Sequence, residues 1–196
     1  VLTSTGHAFS GLSRRTLLEI LAGRCRALGV RLWLEREVRD PASPAGAHLV
    51  LAADGANSVV REGLREHFRP SVDVRPNRFV WLGTTRPFPA FTFYFKNDAH
   101  GLWRVHAYQY EADRSTFIVE AREETWRAAG LAEDDEARTI AFCERLFADE
   151  LKGHRLLSNR SIWRSFPTIR NQRWRHGNVV LAGDAAHTAH FSVGSG

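Results

Sequence analysis

The 196-residue sequence contains no methionine and only two cysteines, Cys25 and Cys143. Two cysteines without metal-ligand spacing predict neither a disulfide framework nor a zinc site, and they favour a reducing, cytoplasmic location. No stretch reaches the ~18 consecutive apolar residues that a membrane-spanning helix needs. The sequence therefore predicts an ordinary globular protein without a membrane segment.

A second absence concerns glycine. The pattern GxGxxG, which holds a dinucleotide pyrophosphate at a helix N-terminus, does not occur in these residues. The chain also lacks methionine, starts at Val1 and stops inside a glycine-rich motif. We therefore expect an internal fragment of a longer protein, inactive by itself and weak in dinucleotide binding.

Two short apolar runs end in aspartate and glycine. Val179 to Ala182 is followed by Gly183-Asp184, and Leu49 to Ala53 is followed by Asp54-Gly55. Such runs predict buried parallel strands, whose carboxyl ends form the ligand-binding edge of an open α/β sheet. If the strands are neighbours, both aspartates reach one crevice, where a carboxylate can accept hydrogen bonds from the vicinal hydroxyls of a polyol.

These motifs resemble the DG and GD motifs of FAD-dependent aromatic hydroxylases of the para-hydroxybenzoate-hydroxylase-like class. The segments GHAFSGLSRRTLLEILAGRC, RPNRFVWLGT and GDAAHTAHFSVGSG resemble the branch that contains salicylyl-CoA 5-hydroxylase and 2-aminobenzoyl-CoA monooxygenase. The likeness extends from about Gly6 to Gly196. It implies FAD as cofactor, NADH or NADPH as co-substrate, O₂ as the source of oxygen, and hydroxylation of an aromatic acyl-CoA. A reductase or halogenase of the same fold, or an inactive remnant, is the alternative.

The resemblance implies an α/β fold. Residues 1–75 and 173–196 are expected to form part of a doubly wound, Rossmann-like FAD-binding domain. Residues 76–172 are expected to form an inserted substrate domain with an antiparallel sheet and helices, because aromatic and β-branched residues alternate there.

The pattern of residues also predicts individual elements. Ser13 to Leu28 has helical spacing, with Ser13 as N-cap and Gly29 as the stop. Further helices are predicted at 58–67, 123–129 and 133–151, and strands at 30–34, 79–83, 91–95, 103–110, 116–120 and 158–166.

Other residues are assigned roles by the resemblance. Arg14 or Arg15 would face the FAD phosphates or the nicotinamide cofactor, with a solvated helix surface as the alternative. Gly194 and Gly196 would open a helix whose N-terminus lies against the flavin. His190 and Phe191 would lie near the flavin ring, although Phe191 is equally suited to the core.

Two other interpretations of this segment are weaker. Asp184, His187 and His190 are spaced by three, as metal ligands on a helix would be, but the following glycines oppose a long helix and the resembled class uses no catalytic metal. A hydrolase triad with Ser192 or Ser195 is opposed by the absence of G-x-S-x-G. We therefore predict no metal site.

The net charge, and the alternation of side chains along the predicted strands, give two further expectations. The net charge of +5 favours anionic ligands, and the scattered arginines and missing motifs argue against nucleic acid. A dinucleotide and a CoA thioester would account for the charge. One set of alternating side chains is predicted to face a substrate cavity, with packing in the core as the alternative: Trp81, Phe93, Phe95, His106 and Tyr108.

Overall fold

The computed structural model describes residues 2–6, 9–39, 46–132 and 135–191. The helices are α1 (Arg14–Ala27), α2 (Val59–Gly63), α3 (Arg65–Phe68), α4 (Glu123–Ala128), α5 (Glu136–Leu146) and α6 (Ala148–Leu151). The strands are β1 (Val50–Ala52), β2 (Pro70–Thr84), β3 (Thr92–Asp98), β4 (Gly101–Glu111), β5 (Arg114–Ala121), β6 (Leu156–Leu157), β7 (Arg164–Asn171), β8 (Arg175–His176) and β9 (Val179–Leu181).

The chain divides into two compact units. Unit one comprises Val1–Leu32 and Pro76–Arg164, and unit two comprises Trp33–Arg75 and Ser165–Gly196. The predicted domains group residues 1–32 and 165–172 differently, and that assignment stays a prediction.

Unit one is built on an antiparallel sheet. Its strands run in the order β3-β4-β5-β2-β6, and the strands β3, β4 and β5 follow one another through short turns, as their spacing predicted. One face of the sheet packs into an apolar core with α4, α5 and α6, and this core includes Val80, Phe117, Trp126, Phe142 and Phe147. The opposite face lies away from this core, and its central side chains His106, Ile118 and Glu120 are also buried.

Unit two contains a small parallel pair. Strands β1 and β9 pair in parallel, with Val50 opposite Val179 and Ala52 opposite Leu181. Strand β8 pairs antiparallel with β9, and β7 pairs with β2. A small core of Ala52, Val60, Phe68 and Leu181 lies under this sheet. The prediction that the two aspartate-ending strands are parallel neighbours is thus confirmed.

Most predicted elements form, with shifted ends. Helix α1 begins after Ser13, whose side chain accepts a hydrogen bond from the Thr16 backbone, as predicted. The single helix predicted at 58–67 is wrong, because the chain breaks at Leu64 into α2 and α3. The helix predicted at 133–151 is likewise divided, because α5 ends before Phe147 and α6 follows it.

Three strand predictions need correction. Residues 30–34 are not a strand, because no described strand pairs with them. Strand β1 forms, but Leu49 and Leu51 are exposed, so this run is not buried on both faces. Residues 158–163 are irregular, and the predicted strand there is replaced by β6 before them and β7 after them.

Candidate functional site

The two aspartates follow the carboxyl ends of the parallel pair in unit two. The backbone N–H of Ala182 donates to the carbonyl of Ala52 over 2.9 Å, which extends the pairing to the start of both motifs. Gly55 and Gly183 adopt left-handed backbone angles, with φ of 87° and 57°. A side chain at either position would be strained, so both turns depend on glycine.

Asp54 has a structural partner. Its Oδ2 accepts a hydrogen bond from the backbone N–H of Val60 at 3.3 Å, in the first turn of α2. Ser58 caps the same helix by accepting from the N–H of Arg61 at 2.9 Å. The Asp54 carboxylate is therefore committed in part to holding the turn against the helix.

Asp184 is placed differently. It lies in a short 3₁₀ turn, Gly183–Ala185, and its side chain is exposed. Within the residues that the structure describes, its carboxylate makes no hydrogen bond or ion pair. A negatively charged acceptor at the end of a parallel strand, next to a glycine that leaves open space, suits the hydroxyls of a polyol chain. These residues thus fit the ribityl part of FAD.

A buried arginine, which sequence reasoning missed, connects the two motifs. Arg61 is only 6% exposed. Its guanidinium donates from Nη1 to the carbonyl of Ala185 at 3.2 Å and from Nη2 to the carbonyl of Ala56. The only sequence signal is that Arg61 follows two valines in the short helix Val59–Gly63.

The segment after Asp184 is held by two further side chains. Asn171 donates from Nδ2 to the carbonyl of Ala186 at 2.6 Å. The buried Thr188 hydroxyl donates to the carbonyl of Pro167 at 2.6 Å and accepts from the N–H of Ile169 at 2.8 Å. The aspartate is therefore carried on a well-anchored turn, and no sequence motif signalled either contact.

His190 and Phe191 form a small aromatic cluster in the same unit. Their rings stack with centroids 4.5 Å apart, and Phe166 of β7 lies 5.6 Å and 5.9 Å from them. Their assignment to the flavin ring stays a prediction. Gly194 and Gly196, together with Ser192 and Ser195, lie outside the described residues.

The metal interpretation finds no geometric support. Asp184 lies in a 3₁₀ turn and residues 187–190 are irregular, so Asp184, His187 and His190 do not share a helix face. In the ranges that the structure describes, no cluster of three or more His, Cys, Asp or Glu side chains is arranged to hold a metal ion.

Unit one presents an aromatic row on the sheet face away from its core. Phe93 lies opposite His106, His106 opposite Ile118, and Ile118 opposite Trp81. Phe93 and His106 touch with ring centroids 4.8 Å apart. Phe93 and Trp81, at the ends of the row, remain 46% and 47% exposed, whereas His106 and Ile118 between them are buried. The rings of Phe93 and Trp81 are therefore the apolar surface that this row offers to a planar ring.

The next row on this face is polar in the middle. Phe95, Arg104, Glu120 and Phe79 lie opposite one another in that order. Glu120 is buried and accepts hydrogen bonds from Asn77 Nδ2 at 2.7 Å and from Arg104 Nη2 at 3.3 Å. Sequence reasoning missed this network, although a glutamate at the end of the apolar run Phe117-Ile118-Val119 was a usable signal.

Phe9 and Gly11 lie against the same sheet. Phe9 lies 4.8 Å from Phe91 and 5.1 Å from Tyr108. A Cβ built on Gly11 would meet the carbonyl oxygen of Gln109 at 1.9 Å, so only glycine allows this close approach. Burial raises the pKa of the Tyr108 phenol above its ordinary value, and a hydrogen bond with Thr116 offsets part of the effect. The phenol thus stays protonated near neutral pH.

Arg14 and Arg15 lie in the first turn of α1 in unit one. Both are exposed, and Arg15 pairs with Glu19 at 3.1 Å. Their contact with cofactor phosphates stays a prediction. Among the described residues, no helix combines the length and the apolar character needed to cross a membrane.

A parallel strand pair with a strand-end aspartate on each strand, in one chain with an antiparallel aromatic sheet, is the combination expected of FAD-dependent hydroxylases. The chain matches the family described as FAD binding domain over residues 28–196. It belongs to that family.

Two curated relatives cover almost the whole chain. It is 43% identical to salicyloyl-CoA 5-hydroxylase from a Streptomyces species, over 97% of this chain and 38% of the relative. It is 44% identical to 3-hydroxy-4-methyl-anthranilyl-[aryl-carrier protein] 5-monooxygenase from Streptosporangium sibiricum, over 94% of this chain and 48% of the relative. The chain thus spans less than half the length of these relatives.

Solved structures show the same fold. The structure of 2-methyl-3-hydroxypyridine-5-carboxylic acid oxygenase matches with a TM-score of 0.65 at 21% identity, over 90% of this chain and 51% of the other. A flavin-dependent halogenase matches with a TM-score of 0.63 at 15% identity, over 91% and 36%. The predicted α/β fold class and the resemblance to FAD-dependent hydroxylases are confirmed.

Proposed function

We propose that this chain is part of a flavin-dependent monooxygenase that hydroxylates an aromatic ring carried on a thioester, with NADH or NADPH and O₂ as co-substrates. The observation that carries the proposal is the identity of 43% and 44% to two enzymes named for an aromatic acyl-CoA and an aryl-carrier-protein substrate. Of these two kinds of thioester substrate, we favour the acyl-CoA.

The residues of unit two would hold the cofactor. The Asp184 carboxylate is available to accept hydrogen bonds from the ribityl hydroxyls, and Arg61 fixes the turn that carries it. When bound, FAD supplies the redox chemistry that the side chains of this protein lack. The protein's own task is to hold, orient and shield.

The aromatic row of unit one would hold the substrate ring. The exposed rings of Phe93 and Trp81 are faces on which a planar ring can stack, and His106 packs against Phe93 behind them. Holding the ring in one orientation removes the entropic cost of aligning it at each turnover and selects one ring position. An electron-donating hydroxyl or amino group on the ring would favour attack on an electrophilic oxygen, whereas the thioester carbonyl opposes it.

The test is a substrate panel on the flavin-loaded protein containing this chain. Salicylyl-CoA and 2-aminobenzoyl-CoA are compared with the free acids and with benzoyl-CoA, which lacks the donor group. NADH loss, oxygen uptake and product mass are followed together. We expect oxygenated product from the first two thioesters only.

The same panel separates the alternatives. If NADH is oxidised but none of the thioesters gives an oxygenated product, the protein is a reductase. A halogenated product in the presence of chloride would indicate a halogenase. A preference for the free acids would overturn the thioester assignment while leaving the flavoprotein fold intact.

A further inference from the structure

An open basic cleft of about 420 Å³ lies in unit two. Two stretches of chain line it, the end of α3 with the start of β2, and the end of β7. The first contributes Arg65, Glu66 and Arg69, and the second contributes Arg170 and Asn171. This volume lies within the range of roughly 300–1,000 Å³ that small-molecule sites occupy.

The cleft has an excess of positive charge. Three arginines line it against one carboxylate, that of Glu66. Arg65 pairs with Glu62 at 3.0 Å. Over the described ranges, the guanidinium groups of Arg69 and Arg170 form no ion pair or hydrogen bond. Both side chains are exposed, and the planar fork of a guanidinium matches the oxygens of phosphate.

The walls of the cleft are held in place. The backbone N–H of Gln172 donates to the carbonyl of Phe68 at 3.0 Å, so the two lining stretches are tied together. Phe68 is fully buried beneath them. Arg69 has a left-handed backbone, with φ of 50°, a conformation that is costly for a residue other than glycine. The arginines are therefore presented by a fixed backbone and not by a loose loop.

The cleft also touches the candidate flavin site through one residue. Asn171 lines the cleft, and its Nδ2 donates to the carbonyl of Ala186 at 2.6 Å. Ala186 is in the anchored segment that follows Asp184. One hydrogen bond thus joins the wall of the cleft to the segment that follows Asp184.

We propose that this cleft binds the phosphate ester groups of an adenosine nucleotide. The choice of ligand rests on the proposed function, because the two phosphorylated compounds which that function uses are a CoA thioester and NADH or NADPH. Both present a phosphorylated adenosine with a pyrophosphate, and the cleft supplies the cationic groups for that chemistry.

Binding is measured by calorimetry on the protein that contains this chain, with CoA, 3′-dephospho-CoA, NADPH, NADH and inorganic phosphate. The cleft variant is Arg69→Asn/Arg170→Gln, in which asparagine suits the left-handed backbone. The matched control is Arg114→Gln/Arg122→Gln, which removes two exposed arginines of unit one and changes the net charge equally. We expect the cleft variant to bind the preferred nucleotide about tenfold more weakly or worse, which corresponds to about 1.4 kcal/mol. The control should stay within about twofold of the wild type.

The arms of the experiment identify the source of the phosphate. A preference for CoA over its dephosphorylated form assigns the cleft to the thioester handle, and a preference for NADPH over NADH assigns it to the reductant. Equal affinities of the cleft variant and the wild type, equal losses in both double variants, or no nucleotide binding by the wild type would each overturn the inference. Hydroxylation of thioesters tests the proposed function separately, since it is read from product and not from binding.

Discussion

Arg61 donates a hydrogen bond from Nη1 to the carbonyl oxygen of Ala185 over 3.2 Å, although 124 positions separate the two residues in sequence. The same guanidinium reaches the carbonyl of Ala56 in the turn after Asp54. One buried side chain thus holds together the two turns that follow the parallel strands. This contact explains how motifs distant in the chain keep a fixed relationship.

Replacing Arg61 by methionine should destabilise unit two. The substitution keeps the apolar stem and leaves the partly buried carbonyl of Ala56 without this donor, at a cost of about 2–4 kcal/mol from lost charged hydrogen bonds and desolvation. Urea unfolding followed by tryptophan fluorescence measures the loss. Arg164→Met, at an exposed position, is the control and should change the free energy of unfolding by less than about 0.5 kcal/mol. Equal stability of both variants would contradict the role of Arg61.

Asp184→Ala should impair FAD retention far more than Asp54→Asn. The exposed carboxylate of Asp184 has no partner among the described residues, whereas that of Asp54 accepts a hydrogen bond from the N–H of Val60. An asparagine at position 54 would keep an acceptor for this N–H. Loss of a charge-assisted hydrogen bond costs about 1.5–3 kcal/mol, which predicts a roughly tenfold or larger loss of affinity. Flavin content after dialysis of the loaded protein is the measurement. Wild-type retention in Asp184→Ala would remove the ribityl assignment.

Asp98 should stabilise the turn between β3 and β4. Its Oδ1 accepts hydrogen bonds from the N–H groups of His100 and Gly101 and from Nε1 of the buried Trp103. Asp98→Ala leaves the indole N–H unpaired and should cost about 1–3 kcal/mol. Asp98→Asn keeps an acceptor and should cost less. Chemical unfolding of both variants at neutral pH gives the comparison.

The same residue predicts a pH dependence. Burial by itself raises the pKa of Asp98, but the three hydrogen bonds outweigh it, and the pKa lies below its ordinary value. A carboxyl group with a depressed folded pKa stabilises the protein above its unfolded pKa of about 3.9, and this contribution is lost as the pH falls through the folded value. The stability difference between wild type and Asp98→Asn should therefore narrow in acid. A difference that is constant with pH would contradict this prediction.

The two cysteines should differ in reactivity. Cys143 is fully buried in the core of unit one, and burial raises the pKa of its thiol to about 12. Cys25 lies on α1 and is partly exposed. At pH 8 a disulfide reagent should modify Cys25 quickly and Cys143 only on unfolding. Cys25→Ser should abolish the fast reaction. A fast phase in that variant would show that the core opens more readily than its packing indicates.

Much of the fold followed from local patterns. The N-cap at Ser13, the strands β3, β4 and β5, and the parallel pairing of β1 with β9 were all predicted from spacing and motif. The failures have physical causes. Residues 30–34 alternate like a strand, but a strand needs a partner, and no described strand pairs with them. The break at Leu64 directly follows Gly63, a residue of low helix propensity that the apolar spacing does not take into account.

Only part of the candidate site could be predicted from the sequence. Asp54, Gly55, Gly183 and Asp184 could be placed because a glycine–aspartate pair after an apolar run has a local signature. Three other residues form hydrogen bonds with partners that are not their neighbours in sequence: Arg61, Asn171 and Glu120. Only the folded chain brings these partners together. In the sequence, a hydrogen bond of this kind is signalled at most by a polar residue among apolar ones.

The exposed ends of the aromatic row in unit one have a practical meaning for engineering. Trp81 and Phe93 are about half exposed, whereas Leu82 and Val105 belong to the buried core on the other face of the sheet. A combinatorial library restricted to Trp81 and Phe93 can therefore sample new ring-binding shapes without disturbing the packing that keeps the sheet folded. His106 and Ile118, in the middle of the row, are buried and stay unchanged in such a library. Substrate scope and thermal tolerance become separable objectives at these two positions.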